Sequence, residues 1–450
     1  MRFRFAACCG VALSSLSAWA CAASGDPGDE LKFSGSFRAR YEALSGQPRA
    51  TVKEADQWLS LRTLFDVSYD AGPFRLVGGL QDSRVYLADR SSAISSNDVN
   101  AVELVQAYVA TSAKDKLGAG SRIDAQAGRF SLNLGSKRLL AADGYRNATN
   151  GFTGALGSLR SGSGHSLTTF YALPQTRLPD GLPDVLDNRI QRDRESSATV
   201  VYGGLYTTPR RVAGGAVDVM WVGFQERDAP GRATRDRHLK TLDLRWFRDP
   251  VPGGWFWEVE AAFQEGRASA GTGSTAAVRQ VAADFEHLRV GYQWADGWKT
   301  RIGFELDRAS GDGGGAKNHR FDTLFGSRGA DYAPSGLYNL VGRANIFSPG
   351  LRWEAAPTPK AELQVTARAL YLASSQDAFS TIGIRDASGQ AGSHAGTQID
   401  TRLRYWLLPK RLQLDVGGTL LLKGRFLQDA PGVRQDGDVK FLNLALQAYF

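Results

Sequence analysis

Apolar residues recur at every second position over most of this chain, and that period decides what it can fold into. The last ten residues, FLNLALQAYF, show it cleanly. Leu442, Leu444, Leu446, Ala448 and Phe450 fall on one face, and Asn443, Ala445, Gln447 and Tyr449 fall on the other. A two-residue period is that of a β-strand with one apolar side. Leu31 to Ala43 repeats it without an error, with Phe33, Gly35, Phe37, Ala39 and Tyr41 opposite Lys32, Ser34, Ser36, Arg38 and Arg40. Followed along the chain, the period predicts eighteen strands, at 31–43, 57–71, 74–89, 101–111, 122–134, 152–160, 165–173, 196–206, 214–225, 238–247, 254–265, 278–294, 299–309, 347–355, 361–373, 397–407, 412–424 and 438–450.

The connections between these strands alternate between long and short. Thirteen residues at 44–56 precede a two-residue turn, Gly72-Pro73, and 135–151 precedes Ser161-Gly162-Ser163-Gly164. The pattern continues to 310–346 before 356–360 and 374–396 before 408–411. Short turns on one rim and long loops on the other are the layout of a transmembrane barrel. A soluble sandwich has no reason to sort its loops in this way. The expected fold is therefore all-β, a transmembrane antiparallel β-barrel of about 18 strands in the outer membrane. Closure is required because an open sheet edge in lipid leaves backbone groups unpaired.

Composition agrees. No stretch approaches 18 uninterrupted apolar residues, so no transmembrane helix is expected, and a mean hydropathy of -0.28 suits strands with one polar face. Met1 to Arg4 is basic, Phe5 to Trp19 is largely apolar, and small residues follow. This is the layout of a signal peptide over 1–22, cleaved near Ala20 or Ala22, with the barrel over 23–450. Cys8, Cys9 and Cys21 all lie in or beside it, so no disulfide is expected in the exported chain, and Cys21 is a candidate for lipidation. The terminal aromatic Phe450 looks like the signal by which bacterial outer-membrane barrels engage their assembly machinery.

Arginine outnumbers lysine 42 to 12, which favours fork-like contacts with carboxylate or phosphate. The polar faces carry acids as well: Asp124 beside Gln126, Glu258 beside Glu260, and Asp400 beside Arg402 and Arg404. Neighbouring inner charges of opposite sign pair and hold the wall, so position matters more than number. One stretch stands out. GRFSLNLGSKRL runs from Gly128 into a long loop with YRN at Tyr145 to Asn147, placing Arg129, Lys137, Arg138 and Arg146 within eighteen residues. Folded inward, such a loop would narrow the lumen and select anions.

That segment, with GGLQDSR (Gly78 to Arg84), FDTLFG (Phe321 to Gly326) and GTQIDTRLRYWLLPKRLQLDVG (Gly396 to Gly417), resembles the bacterial outer-membrane alginate-export proteins over nearly the whole mature chain. The resemblance implies a monomeric eighteen-stranded barrel whose arginine-rich constriction passively passes an anionic polyuronate, with outer-membrane lipid around it; a dedicated exporter would also need periplasmic export partners, of which the sequence gives no sign. It carries over Arg84, Arg129, Arg138, Arg146, Asn147 and Arg402 as substrate-binding. Alternation alone adds Arg38, Arg62 and Arg404, with Asp124 and Asp400 as supporting acids.

The alternative is an uptake or general-diffusion porin for small anionic solutes. An enzyme is not expected, because nucleophile and base must be within reach of one another. His165 and Ser166 point to opposite faces of a strand, and His287 has no evident serine partner. Asp307, Asp312 and Asn318 offer oxygen ligands without a complete calcium-loop spacing, so no metal or cofactor is expected. Nucleic-acid binding is not expected either, because the aromatics alternate with the arginines and so occupy the other face.

Overall fold

The computed structural model describes residues 30–210, 212–273, 275–329, 331–334 and 340–450. The expected signal peptide and Cys21 lie outside the described residues. Nineteen strands follow in order: β1 (Glu30–Ser45), β2 (Asp56–Asp70), β3 (Arg75–Tyr86), β4 (Asn100–Lys114), β5 (Arg122–Phe130), β6 (Phe152–Arg160), β7 (Ser166–Pro174), β8 (Thr199–Thr207), β9 (Ala216–Glu226) and β10 (His238–Arg248). They continue with β11 (Gly254–Ser269), β12 (Val278–Gln293), β13 (Arg301–Ala309), β14 (Lys317–Asn318), β15 (Ile346–Thr358), β16 (Ala361–Tyr371), β17 (His394–Leu408), β18 (Leu412–Lys423) and β19 (Val439–Tyr449). All but β14 pair antiparallel with both neighbours and form an eighteen-stranded wall, in which β13 meets β15 directly. Each wall strand has nine to sixteen residues, and about nine to eleven suffice to cross a bilayer.

The wall closes where the last strand meets the first. Ser36 lies opposite Tyr449 and Ser45 opposite Lys440. Phe450 extends the ladder, exchanging backbone hydrogen bonds of 2.9 and 3.1 Å with Gly35. Gly35 is required there, since a Cβ would stand 2.6 Å from both the Leu64 carbonyl and the Phe450 ring.

The alternation sets the two faces. Leu31, Phe33, Trp255 and Phe263 point outward, more than half exposed, while Arg38, Arg40, Glu42 and Glu260 point inward and are buried. Aromatics gather at the short-turn rim, where the Tyr292 ring meets Trp255 at 5.5 Å and Trp294 at 5.2 Å. This is an interfacial girdle.

Two features depart from the sequence-based expectation. The strand expected over 122–134 ends at Phe130, although Leu132 and Leu134 continue the alternation. Both leucines are buried beside Phe130, because the chain leaves the wall and turns into the lumen. The inner faces of β6 to β12 are also apolar in their long-loop half. Phe152, Phe170, Val201, Val222, Phe224, Ala262 and Phe285 are all buried, and they pack against residues of two inward loops, 131–151 and the described part of 319–345. Phe325, from the second loop, meets Phe152 edge-on at 5.4 Å and Phe224 at 5.8 Å.

Candidate functional site

The loop after β5 crosses the lumen as a bar fixed at both ends. At one end Arg138 donates to Glu258 at 2.6 Å and to Glu260, both on β11, and Ser136 donates to Glu260 at 2.7 Å. At the other end the wall arginines grip its backbone. Arg62 on β2 donates to the carbonyls of Gly144 (2.6 Å) and Arg146 (3.0 Å). Arg38 donates to the Arg146 carbonyl at 2.7 Å and the Asn147 side chain at 3.2 Å, and Arg40 donates to the Tyr145 carbonyl at 2.8 Å. Asn147 itself donates to the carbonyls of Leu61 and Asp98. In the eighteen-strand ring β2 and β11 are nine steps apart in either direction, so the anchors lie across a diameter. The six-residue step from Arg138 to Gly144 reaches at most about 20 Å, and the side chains at both ends supply the remainder.

A second loop locks onto this crossbar through Phe325 to Ser327. Ala141 donates its amide to the Phe325 carbonyl, Phe325 to Leu139 and Ser327 to Lys137, at 2.9–3.1 Å. The close approach needs Gly326, where a Cβ would stand 1.8 Å from the Arg138 carbonyl oxygen. Asp331 completes the joint. Its carboxylate accepts from Arg138 at 2.9 and 3.0 Å and from Arg343. Its backbone carbonyl accepts from Arg352 on β15 at 3.1 Å and Arg368 on β16 at 2.7 Å. Burial opposes charge at Arg138 and Asp331, yet the opposite charges around them prevail: Arg138 is held well above its ordinary pKa and Asp331 well below. No positional rule in the sequence singles out Asp331, Arg343, Arg352 or Arg368; only the folded loop brings them together.

Beneath the crossbar, toward the short-turn rim, the inner wall carries half-buried arginines, each with an acid. Arg245 bonds Asp218 and Glu258, Arg289 bonds Glu305 and Glu354, Arg402 bonds Asp415, and Arg404 bonds Glu362. Tyr145 of the crossbar lies under the Arg402 guanidinium, 5.0 Å from ring centre to carbon, and burial pushes its hydroxyl pKa up.

The structure thus brings together Arg38, Arg62, Arg138, Arg146 and Asn147 in the crossbar, with Arg402 touching it through Tyr145. Arg404 stands on the same inner face, lower on β17. Asp400 is buried on that face, accepting from Gln398 and Thr419, and Asp124 pairs with Arg122 near the foot of β5. Arg84 and Arg129 are elsewhere. Arg84 shares the outward parity of Leu76, Leu80 and Tyr86 and bonds Asp82 at 3.0 Å. Arg129 shares the parity of the exposed Ala125 and Ala127 and folds back onto Glu103 at 2.6 Å.

His287, Asp307 and Asp331 lie within ligating distance of one another and are buried. His287 bonds Asp307 at 2.9 Å, and arginines hold both oxygens of Asp331. The donor set is that of an ion-pair network rather than a metal cage. Asp312, considered with Asp307 and Asn318 from the sequence, instead pairs with Arg279.

The sequence profile for alginate export matches residues 29–439. No curated protein sequence matches the chain. Among solved structures it is similar in fold to Acinetobacter baumannii OccAB1, at a TM-score of 0.58 and 9% identity over 93% of this chain and 96% of that one. OccAB2 of the same organism gives 0.58 at 12% identity, over 93% and 98%. The Pseudomonas aeruginosa outer membrane protein OpdK gives 0.57 at 12%, over 94% and 98%. At such identities the likeness is one of fold.

Proposed function

Because the chain belongs to the alginate export family and is an outer-membrane barrel, we propose that it passively conducts an acidic polysaccharide of the alginate type through an arginine-lined constriction. The observation that carries this reading is the crossbar: a loop pinned at both walls, above a belt of arginines that keep part of their surface exposed. Arg289, Arg402 and Arg404 are 20, 12 and 21% exposed, and each is already paired with a wall carboxylate. A sugar carboxylate therefore exchanges with a resident one instead of filling an empty, tight site. Weak and repeated binding of this kind is what conduction needs. On this reading Arg38, Arg62, Arg138 and Asn147 hold the constriction, and Arg146, Arg402 and Arg404 meet the passing anion. Arg84 and Arg129, on outward parity, have no part in conduction. No chemical step and no cofactor are involved.

A second reading, a channel for small anionic solutes, is favoured by the apolar packing that fixes 137–141 against 325–327 and fills one side of the lumen. Single-channel recording in a planar bilayer separates the two. Anion-selective current blocked by polymannuronate, with the block weakened in Arg402→Gln, supports the polymer channel. Anion-selective current indifferent to the polymer but reduced by monomeric uronate supports the small-solute channel. Current without anion preference overturns both.

A further inference from the structure

Above the crossbar, on the long-loop side, two arginines from two loops converge on one amide oxygen. Arg146 bonds Asp143 and donates to the Asn97 side-chain oxygen at 2.5 Å. Arg177, from the loop after β7, donates to that same oxygen at 2.5 Å, to the Ser96 carbonyl at 3.0 Å and to Asn150. Among the described residues Arg177 therefore contacts only neutral acceptors, and two guanidinium groups share a single amide oxygen. An amide oxygen accepts from both but contributes no charge; a carboxylate in its place would contribute a full charge and a second oxygen. Arg328, from the second inward loop, adds a like charge that acts on Arg146. Burial and then the like charge of Arg146 press both Arg177 and Arg328 down to about 10. The other acids nearby, Asp98 and Asp193, face neutral donors: Ser95 for the first, Leu178 and Asn100 for the second. All three arginines keep part of their surface exposed.

We infer that Arg146 and Arg177, which share the Asn97 oxygen, form, with the charge of Arg328 behind them, a capture site for a single sugar-acid carboxylate, which takes the place of the Asn97 oxygen between Arg146 and Arg177. The site lies above the constriction and apart from the wall arginines below it, and it holds an anion before or after passage. Arg177 and Arg328 belong to none of the motifs that carry the family resemblance. The inference rests on the proposed anion channel and specifies one of its binding steps.

The test uses the purified barrel in a planar bilayer, with D-galacturonate as the probe and D-galactose as the neutral control. In the wild type, galacturonate reduces the current and galactose does not. Arg177→Gln and Arg328→Gln raise the half-blocking concentration at least five-fold, whereas Asn97→Ala, which removes the competing oxygen, lowers it. Heat-modified gel mobility confirms that each variant is a folded barrel. If both arginine variants block like the wild type while the channel stays anion-selective, the capture site is refuted and the channel stands. If the wild type has no anion preference and no response to galacturonate, the channel reading fails and the site fails with it. Asn97→Ala also answers where an arginine variant does not fold: a weaker or unchanged block in it refutes the proposed displacement.

Discussion

Arg138 and Asp331 meet through two parallel hydrogen bonds, Nε to Oδ2 at 2.9 Å and a terminal nitrogen to Oδ1 at 3.0 Å, with each residue no more than 5% exposed. The residues are 193 positions apart and sit on different loops. Their pairing makes one insert of two loops, and because Arg138 also bonds β11, it fixes that insert to the wall.

Asp331→Asn keeps the shape of this joint and removes its charge. Arg138 and Arg343 then face each other without the carboxylate between them, and breaking a buried pair costs about 3–5 kcal/mol. The loss falls on the insert, because the closed wall holds its own ladder. Single-channel recordings should show higher mean conductance with frequent flicker, while the thermal unfolding of the barrel moves little. A quiet current of wild-type size would mean that the pair does not hold the insert.

Asp98 gives a pH dependence of defined sign. Burial lifts its pKa to about 6, above the usual 3.9 or so of an unfolded chain. Between about pH 4 and 6 the folded state therefore binds more protons, and stability falls as pH rises through that window. The two-unit shift is worth at most about 3 kcal/mol. Asp98→Asn keeps the oxygen that accepts from Ser95 and removes the charge. It should raise stability at pH 7.5 and leave it nearly unchanged at pH 4, by thermal unfolding in detergent at the two values. An equal effect at both would show that the Asp98 carboxylate is already neutral or already compensated.

The closure seam is sensitive at Gly35. A methyl there meets the Leu64 carbonyl and the Phe450 ring, both at 2.6 Å. Gly35→Ala should lower the fraction of heat-modifiable, folded barrel in outer-membrane preparations at least several-fold. Gly78, on the same outward face with only one contact, at 3.4 Å from Val67, should tolerate alanine. Equal assembly of both variants would mean that the seam relaxes.

The wall was legible because a two-residue period is a local signal. All eighteen expected strands are present, and 152–160 matches β6 end to end. The interior was legible only in part. In Ala216–Glu226, AVDVMWVGFQE, the run MWVGF is apolar on both faces, and the outward period does not say that Met220, Val222 and Phe224 meet loops rather than water. Leu132 and Leu134 keep the strand period after the backbone has left the sheet. The 131–151 loop could be recognised as basic, but its crossing depends on Asp331 and on carbonyl groups, which no spacing of side chains encodes. Arg84 and Arg129 sit in matching motifs, yet their backbone parity is that of exposed, outward neighbours.

The two anchors of the crossbar should be coupled. Arg38 and Arg62 hold one end through the carbonyls of Gly144, Tyr145 and Arg146, and Arg138 with Glu258 and Glu260 holds the other. A bar freed at one end already swings, so freeing the second adds little. Arg38→Gln with Arg62→Gln should raise conductance about as much as Arg138→Gln, and the triple variant should fall well short of the sum. Sites that share no partners add, and these two clusters share only the loop between them. The conductances of wild type, the two partial variants and the triple variant form the cycle. Full additivity would mean that each end opens its own part of the lumen and that 138–147 does not move as one piece.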